Sequence, residues 1–221
     1  MLRIFSEGNA MLKCVDKVLA TRSPKRDLFR HIKKFLPETD LQYQEILRAY
    51  AFAKKACRNR MREDGSTAFG HGVSVALIAV ICVGVKNPAQ IIADLLHDVV
   101  EDIKGKTHAE IEAEFGQGPS YYVRWSSKDP REEFPNKTAR DKAYSERFLD
   151  APTDVLENKL PDVLHNLRTL FACDIQKQKR IVEIARRIYL PLAQKHNVLS
   201  REIEAAIIRV EAGWARSSGC L

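Results

Sequence analysis

The stretch Ile91-Ile92-Ala93-Asp94-Leu95-Leu96-His97-Asp98-Val99-Val100-Glu101-Asp102 constrains this chain more than any other. Ile91, Ile92, Leu95, Leu96, Val99 and Val100 recur at helical spacing, which predicts a buried helix. Into that run are set five ionisable groups. A buried carboxylate or imidazole is strongly disfavoured unless it is paired or bound to a metal. His97 and Asp98 are adjacent, one nitrogen donor and one oxygen donor. Glu101 follows His97 by one helical turn, and Asp102 follows Asp98 in the same way, so each pair shares a helix face. A metal on His97 and Asp98 would have carboxylates one turn away, placed to act on a bound water. A lone His-Asp dipeptide usually marks a solvated helix edge; here it interrupts apolar sequence.

The 221 residues can bury a real core, as one large domain or as a domain with a small extension. No apolar run is long enough and free enough of charge to span a bilayer. The start, Met1 to Glu7, lacks the apolar core of a signal peptide. Cys14, Cys57, Cys82, Cys173 and Cys220 show no paired spacing, which predicts reduced thiols in a cytoplasmic protein and argues against a zinc ribbon. The net charge of +7 suits a polyanionic partner such as a nucleotide. The basic residues are dispersed among acids, with no long Lys/Arg stripe, which argues against nucleic acid.

Taken in order, residues 1–38 carry no recognisable chemistry and read as a helical extension, with weak periodicity from Met11 to Leu19 and from Asp27 to Leu36. Pro37 and Asp40 mark a break and an N-cap. Leu41, Ile46, Leu47, Tyr50, Ala51, Ala53 and Ala56 predict one apolar face of a helix ending near Arg58. Residues 59–70 read as an ordered polar turn. A helix is expected from His71, with Asn87-Pro88 separating it from the 91–102 helix. Thr107 to Glu110 is a capping-box pattern opening a helix to Phe115. A short helix from Pro119 to Trp125 follows. Residues 126–137 form a polar, proline-bearing loop of a length that suits a lid or binding loop. Further helices are expected over Thr138–Leu149, Asp154–Phe171, Ile175–Gln194 and Ser200–Trp214. No alternating strand pattern and no repeat appears, so the expected architecture is all-α, with residues 39–221 as the functional domain.

His71, His97, Asp98 and Asp162 together offer two imidazoles and two carboxylates from three helices. A mixed nitrogen and oxygen set suits a divalent transition ion such as manganese or iron, with positions open to water. Cysteine-rich zinc sites have a different composition.

These residues resemble the H…HD…D signature of the HD superfamily of metal-dependent phosphohydrolases. Within it the chain resembles the hydrolase domain of RelA/SpoT homologues, most closely the stand-alone small alarmone hydrolases. Leu95 to Asp102 is similar to that family's LLHDxVED motif. Lys159-Leu160-Pro161-Asp162 with His165-Asn166-Leu167-Arg168-Thr169-Leu170 is similar to its KLADRLHNLRTL motif. Arg62 with Asp64-Gly65 resembles its base-binding loop, and Ile188 to Ala193 resembles an IYAPLA segment. The resemblance covers roughly residues 42–197.

The resemblance implies an HD-domain helical bundle that removes the 3′-pyrophosphate of (p)ppGpp, giving GDP or GTP and pyrophosphate, with Mn²⁺ or another divalent ion. It implies His71, His97, Asp98 and Asp162 as metal ligands. It makes Glu101 and Asp102 the carboxylates that orient or deprotonate water. Arg62 matches the residue that stacks on guanine, a role suited to a planar guanidinium. Asn166 matches a residue near the sugar and phosphates, and Arg180 a phosphate contact. His165 reads as structural, Arg168 as paired with an acid, and His108 and His196 as exposed. Little chain follows residue 197, so the expectation is the hydrolase half alone, serving alarmone homeostasis or acting as antitoxin to a toxic synthetase. A homo-oligomer stays open.

The chain departs from the family at several points. Gly72 stands where proline is usual, Thr67-Ala68-Phe69 replaces a Pro-Tyr-Ile type triplet, Glu63 takes an often basic position, and Asp94 and Pro161 replace alanines. None removes an expected ligand or Glu101, so they bear on substrate preference. Two rival readings follow: an HD phosphohydrolase for another nucleotide, such as (p)ppApp or a nucleoside 5′-phosphate, and a non-catalytic HD module that binds a nucleotide or a partner protein.

Overall fold

A computed structural model describes residues 12–218, with the side chains of 102 and 215–218 left aside. Among the described residues the chain is helical, with one isolated antiparallel bridge, Met61 to Thr67, and no strand. The helices are α1 (residues 12–19), α2 (Pro24–Ile32), α3 (Leu41–Ala56), α4 (Ala68–Leu77), α5 (Pro88–Asp102), α6 (His108–Phe115) and α7 (Gln117–Ser126). After them come α8 (Lys137–Glu146), α9 (Thr153–Thr169), α10 (Ile175–Ile184), α11 (Leu190–His196) and α12 (Ser200–Ser218). The helical fold expected from the sequence is the fold found. The chain divides into two compact units, one of Lys13–Asp129 and one that comprises, among the described residues, Leu12 and the chain from Pro130 onward.

The first unit is built around α5, which packs against α3, α4 and α7. Ile91, Leu95, Leu96 and Val99 are buried along it, while Val100 is half-buried. Its start is set locally. Asn87 caps the Ala89 amide at 3.0 Å, and Pro88 occupies the first turn, where a missing N–H costs nothing. Asp40 caps α3 through Gln42, and Thr107 caps α6 through Glu110, both as the sequence predicts. A ladder of edge-to-face rings joins α2, α3 and α4: Phe29 with Tyr43 and Tyr50, and Tyr50 with Phe69.

α4 and α5 pack closely at Gly72. A Cβ built on Gly72 would lie 3.3 Å from the carbonyl oxygens of both Asp94 and Leu95. Glycine at this crossing lets the two helices meet almost backbone to backbone, one residue after His71 and two or three before His97.

Some expectations need correction. Leu41 is 82% exposed and Ala51 is also exposed, so neither belongs to the apolar face of α3; that face is Tyr43, Ile46, Ala49, Tyr50 and Ala53. Leu41 follows the cap directly, where the helix has only begun to turn toward the core. The next helix starts at Ala68 and not at His71, because the Thr67 hydroxyl accepts from the Gly70 amide at 2.9 Å. Cys14 and Cys82 are joined as a disulfide, against the expectation of reduced thiols. Their 68-residue separation hides the pairing in sequence, and the fold brings the Cα atoms to 6.1 Å, within disulfide reach. Cys57 and Cys173 are in no disulfide, and Cys220 lies outside the described residues.

In the second unit α9 packs against α11 and α12. It runs unbroken through Pro161, which is buried within it. The single helix expected over Ile175–Gln194 is instead α10, a π-helical stretch Ala185–Tyr189, and α11. Pro191, at the start of α11, explains the change. Its ring cannot donate and would crowd the carbonyl four residues earlier, and a wider turn relieves both. A second π-helical stretch, Ile78–Val83, ends α4 at Gly84, whose φ of 91° lies in the left-handed region.

The Gly72 crossing can be tested by overpacking. Gly72→Val should lower stability by about 1–3 kcal/mol in denaturant titrations, because two fixed carbonyl groups must move. An unchanged midpoint would show that α4 and α5 are not held at this distance.

Candidate functional site

In the first unit the site begins with Thr67, whose cap fixes where α4 starts and so where His71 points. His71 is 1% exposed and His97 6%. Their Nε2 atoms lie 3.1 Å apart. Asp98 Oδ1 is 3.2 Å from His97 Nε2, and Asp98 Oδ2 is 3.7 Å from His71 Nε2. His97 Nδ1 lies 2.8 Å from the Asp94 carbonyl oxygen. A carbonyl only accepts, so Nδ1 carries the proton and Nε2 keeps its lone pair toward the cluster.

That arrangement fits a divalent transition ion. Metal–nitrogen and metal–oxygen bonds of about 2.0–2.2 Å place neighbouring donors about 3 Å apart when they meet at right angles. The Asp94 carbonyl supplies the outer hydrogen bond that orients a ligating histidine. Two imidazoles and a carboxylate lie together here, a group of mixed nitrogen and oxygen atoms with no cysteine.

Glu101 lies one turn further along α5. Its carboxylate is 27% exposed and 3.6 Å from Lys128 Nζ. Lys128 carries no motif signal, because its approach depends on how the chain leaves α7. Asp102 ends α5, and its side chain lies outside the described residues. Arg62 sits half-buried in the turn closed by the Met61–Thr67 bridge. Its amide donates to the Ser66 carbonyl at 2.8 Å, and its carbonyl accepts from Gly65 at 3.1 Å. Gly65 has φ of 80°, and Asp64 Oδ1 accepts from both the Ser66 amide and hydroxyl. The turn that presents Arg62 is therefore ordered by its own hydrogen bonds.

In the second unit Lys159, Asp162 and Asn166 share one face of α9 at helical spacing. Asp162 is 7% exposed. Its Oδ2 accepts from Lys159 Nζ at 2.7 Å, and its Oδ1 from Asn166 Nδ2 at 2.7 Å. Lys159 also donates to the Tyr144 hydroxyl at 2.9 Å. Its ammonium lies 4.8, 5.4 and 5.8 Å from the ring centroids of Tyr144, Phe148 and Tyr189, a cation–π cage. Burial is the largest influence on Lys159 and works against its charged form, yet the Asp162 carboxylate and the Tyr144 and Tyr189 phenols together outweigh it and hold the pKa well above the usual lysine value. Burial also raises the phenol of Tyr144, and that of Tyr189 to about 12, so both keep their protons at neutral pH.

Asn166 and Arg180, expected at the substrate, have protein partners here. The Asn166 amide is engaged by Asp162, and Arg180 Nε lies 3.4 Å from Oδ2 of the buried Asp141. His165 is buried. His108 and His196 are half-buried, not exposed as expected: His196 Nδ1 lies 2.9 Å from the Thr153 hydroxyl, and burial and then the Arg124 charge depress the pKa of His108. The Lys159 cage was not legible from sequence. The lysine belongs to a quoted motif, but its aromatic partners come from α8 and two later segments.

Removing Lys159 would leave a buried carboxylate without its countercharge. Lys159→Met should destabilise the protein by about 3–5 kcal/mol in chemical denaturation, the usual cost of breaking a buried ion pair from one side. A loss below about 1 kcal/mol, typical of an exposed pair, would show that this pair is solvated.

Residues 49–199 match the HD domain family. The chain is 34% identical over 169 residues to a probable guanosine-3′,5′-bis(diphosphate) 3′-pyrophosphohydrolase of Synechocystis, a match spanning 75% of this chain and 22% of that protein. It is 32% identical to the guanosine-3′,5′-bis(diphosphate) 3′-pyrophosphohydrolase of Aquifex aeolicus, over 76% of this chain and 24% of that protein. It is 30% identical to the bifunctional (p)ppGpp synthase/hydrolase SpoT of Escherichia coli, over 82% of this chain and 26% of that protein. The chain thus spans about a quarter of the length of these curated relatives. A solved structure described as a metazoan orthologue of SpoT that hydrolyses ppGpp has a similar fold. It has a TM-score of 0.57 and 23% identity, and the match covers 80% of this chain and 97% of that one. With the histidine pair, the adjoining aspartate and the matched residues together, this chain belongs to the HD domain family.

Proposed function

We propose that this protein is a metal-dependent (p)ppGpp 3′-pyrophosphohydrolase, releasing GDP or GTP and pyrophosphate. The observation that carries the reading is the convergence of His71, His97 and Asp98, with the His97 tautomer set by the Asp94 carbonyl. The curated relatives named for this hydrolysis support the substrate.

In this reading His71, His97, Asp98 and Asp162 are the ligands of the HD signature, and Mn²⁺ is the ion. When bound, the ion supplies Lewis-acid activation of water and offsets phosphate charge. Glu101 takes the proton as water attacks the phosphorus bonded directly to the sugar 3′ oxygen, with Asp102 aiding its orientation. The water oxygen joins phosphorus, the bond from phosphorus to the sugar 3′ oxygen breaks, and that oxygen leaves with the proton that Glu101 took from water. Lys128 Nζ, 3.6 Å from Glu101, restricts where that carboxylate lies. Arg62 stacks on the guanine ring, presented by its hydrogen-bonded turn, and Asn166 and Arg180 contact the sugar and phosphates once released from Asp162 and Asp141.

Among the described residues no helix is long and apolar enough to cross a membrane. We place the activity in the cytoplasm, as alarmone homeostasis or as the antitoxin to a synthetase, with residues 1–38 as an extension to the HD domain.

Metal-stripped protein incubated with ppGpp should release pyrophosphate and GDP only when Mn²⁺ is added. Asp98→Ala should reduce the rate at least a thousandfold, about 4 kcal/mol of transition-state stabilisation. Intact ppGpp in the presence of protein shown to bind Mn²⁺ would overturn this substrate assignment.

A further inference from the structure

The first unit holds a cleft of about 670 Å³ between α2 and α3, formed by residues that the proposed reaction does not use. That volume lies within the range of small-ligand sites, about 300–1,000 Å³. Its rim is cationic and its floor aromatic. Arg26, Phe29 and Arg30 on α2 and Lys33 at its C-cap recur at i, i+3, i+4 and i+7, so three cations and one ring share a face. Lys25 adds a fourth cation, its Nζ 5.2 Å from the Tyr50 ring centroid. Two carboxylates answer these four charges. Asp27 is shared by Arg30 at 3.1 Å and Arg26 at 3.7 Å and is also bound by the Thr21 hydroxyl; Glu38 pairs with Lys33. The rim therefore keeps an excess of positive charge.

The floor is Phe29, Tyr43 and Tyr50, each under 10% exposed. The two tyrosine hydroxyls accept and donate no hydrogen bond to protein among the described residues, and neither is sealed from solvent. Lys33 interacts electrostatically with the Tyr43 phenol. An occupant must therefore offer negative charge to the rim, apolar surface to the rings, and polar atoms to two phenols. Free phosphate satisfies only the first. A lipid acyl chain would cover the phenols without pairing them, which is costly. A phosphorylated nucleoside satisfies all three: phosphates for Arg26, Arg30 and Lys33, a planar base against the ring edges, and base or sugar atoms for the hydroxyls.

We propose that this cleft is a second binding site, distinct from the histidine cluster, for a nucleoside di- or triphosphate. The proposal does not rest on the hydrolase reading, since none of the cleft residues takes part in it. A site of this kind would let nucleotide supply bias the protein by differential binding.

The test uses the full chain in chelator, with GTP and inorganic pyrophosphate as probes, read by titration calorimetry and by hydrogen exchange. GTP should protect the amides of 23–33 and 43–50. Arg26→Gln with Arg30→Gln, both on exposed side chains, should weaken GTP binding at least tenfold and abolish that protection. Should the double variant lose its helical circular dichroism, Lys25→Ala gives the same comparison, with an expected loss of several-fold. GTP protection confined to the segments around Arg62 and His97 would overturn the proposal. So would equal affinity in the variants, or pyrophosphate binding as tightly as GTP. Binding to phosphatidylglycerol vesicles without protection by GTP would assign the cleft to a membrane surface and overturn it as well.

Discussion

The crossing of α4 and α5 at Gly72 sets the distance on which the histidine cluster depends. Two helices that carry full side chains at their contact sit further apart than two that meet at a glycine. Because Gly72 lies against the Asp94 and Leu95 carbonyls, His71 and His97 are brought close enough for their Nε2 atoms to face one another at 3.1 Å. The Asp94 carbonyl also accepts the His97 Nδ1 proton. One residue of α5 thus contributes both to the close packing and to the tautomer. The Gly72 departure from the usual family proline is therefore a packing feature, and Asp94 acts through its backbone as well as adding a buried side chain.

A different solution operates in the second unit. There the polar groups of α9 are held by charge and aromatic enclosure. Burial alone would disfavour the charge on Lys159, and the Asp162 carboxylate with the Tyr144 and Tyr189 phenols reverses that balance. The result is a carboxylate whose two oxygens are both fixed, by Lys159 and by Asn166. Positioning of this kind lowers the conformational freedom of an acidic side chain before any ligand arrives, the general basis of preorganised sites.

Features written in short-range chemistry were legible in the sequence. The caps at Asp40 and Thr107 are local hydrogen bonds, and the apolar spacing of Ile91 to Val99 reports one buried face. That His71, His97 and Asp98 lie together was foreshadowed by ionisable groups set in apolar sequence, where an unpartnered charge is disfavoured. What required the fold is long-range or cooperative. The wide turns before Gly84 and Pro191 depend on how a helix absorbs a residue that breaks its ladder. The Cys14–Cys82 bond depends on a contact 68 residues apart. The exposure of Leu41 shows that periodicity fails at a first turn, where the face is not yet committed to the core. The cage around Lys159 gathers Tyr144, Phe148 and Tyr189 from separate segments, and no spacing rule connects them.

The central claim is that the histidine cluster is a metal centre of the HD type. Anomalous diffraction from crystals grown with Mn²⁺ tests it most directly. The account predicts an ion held by the Nε2 atoms of His71 and His97 and by the carboxylates of Asp98 and Asp162. An ion bound only elsewhere, or none at saturating Mn²⁺ with the His71–His97 contact intact, would contradict it.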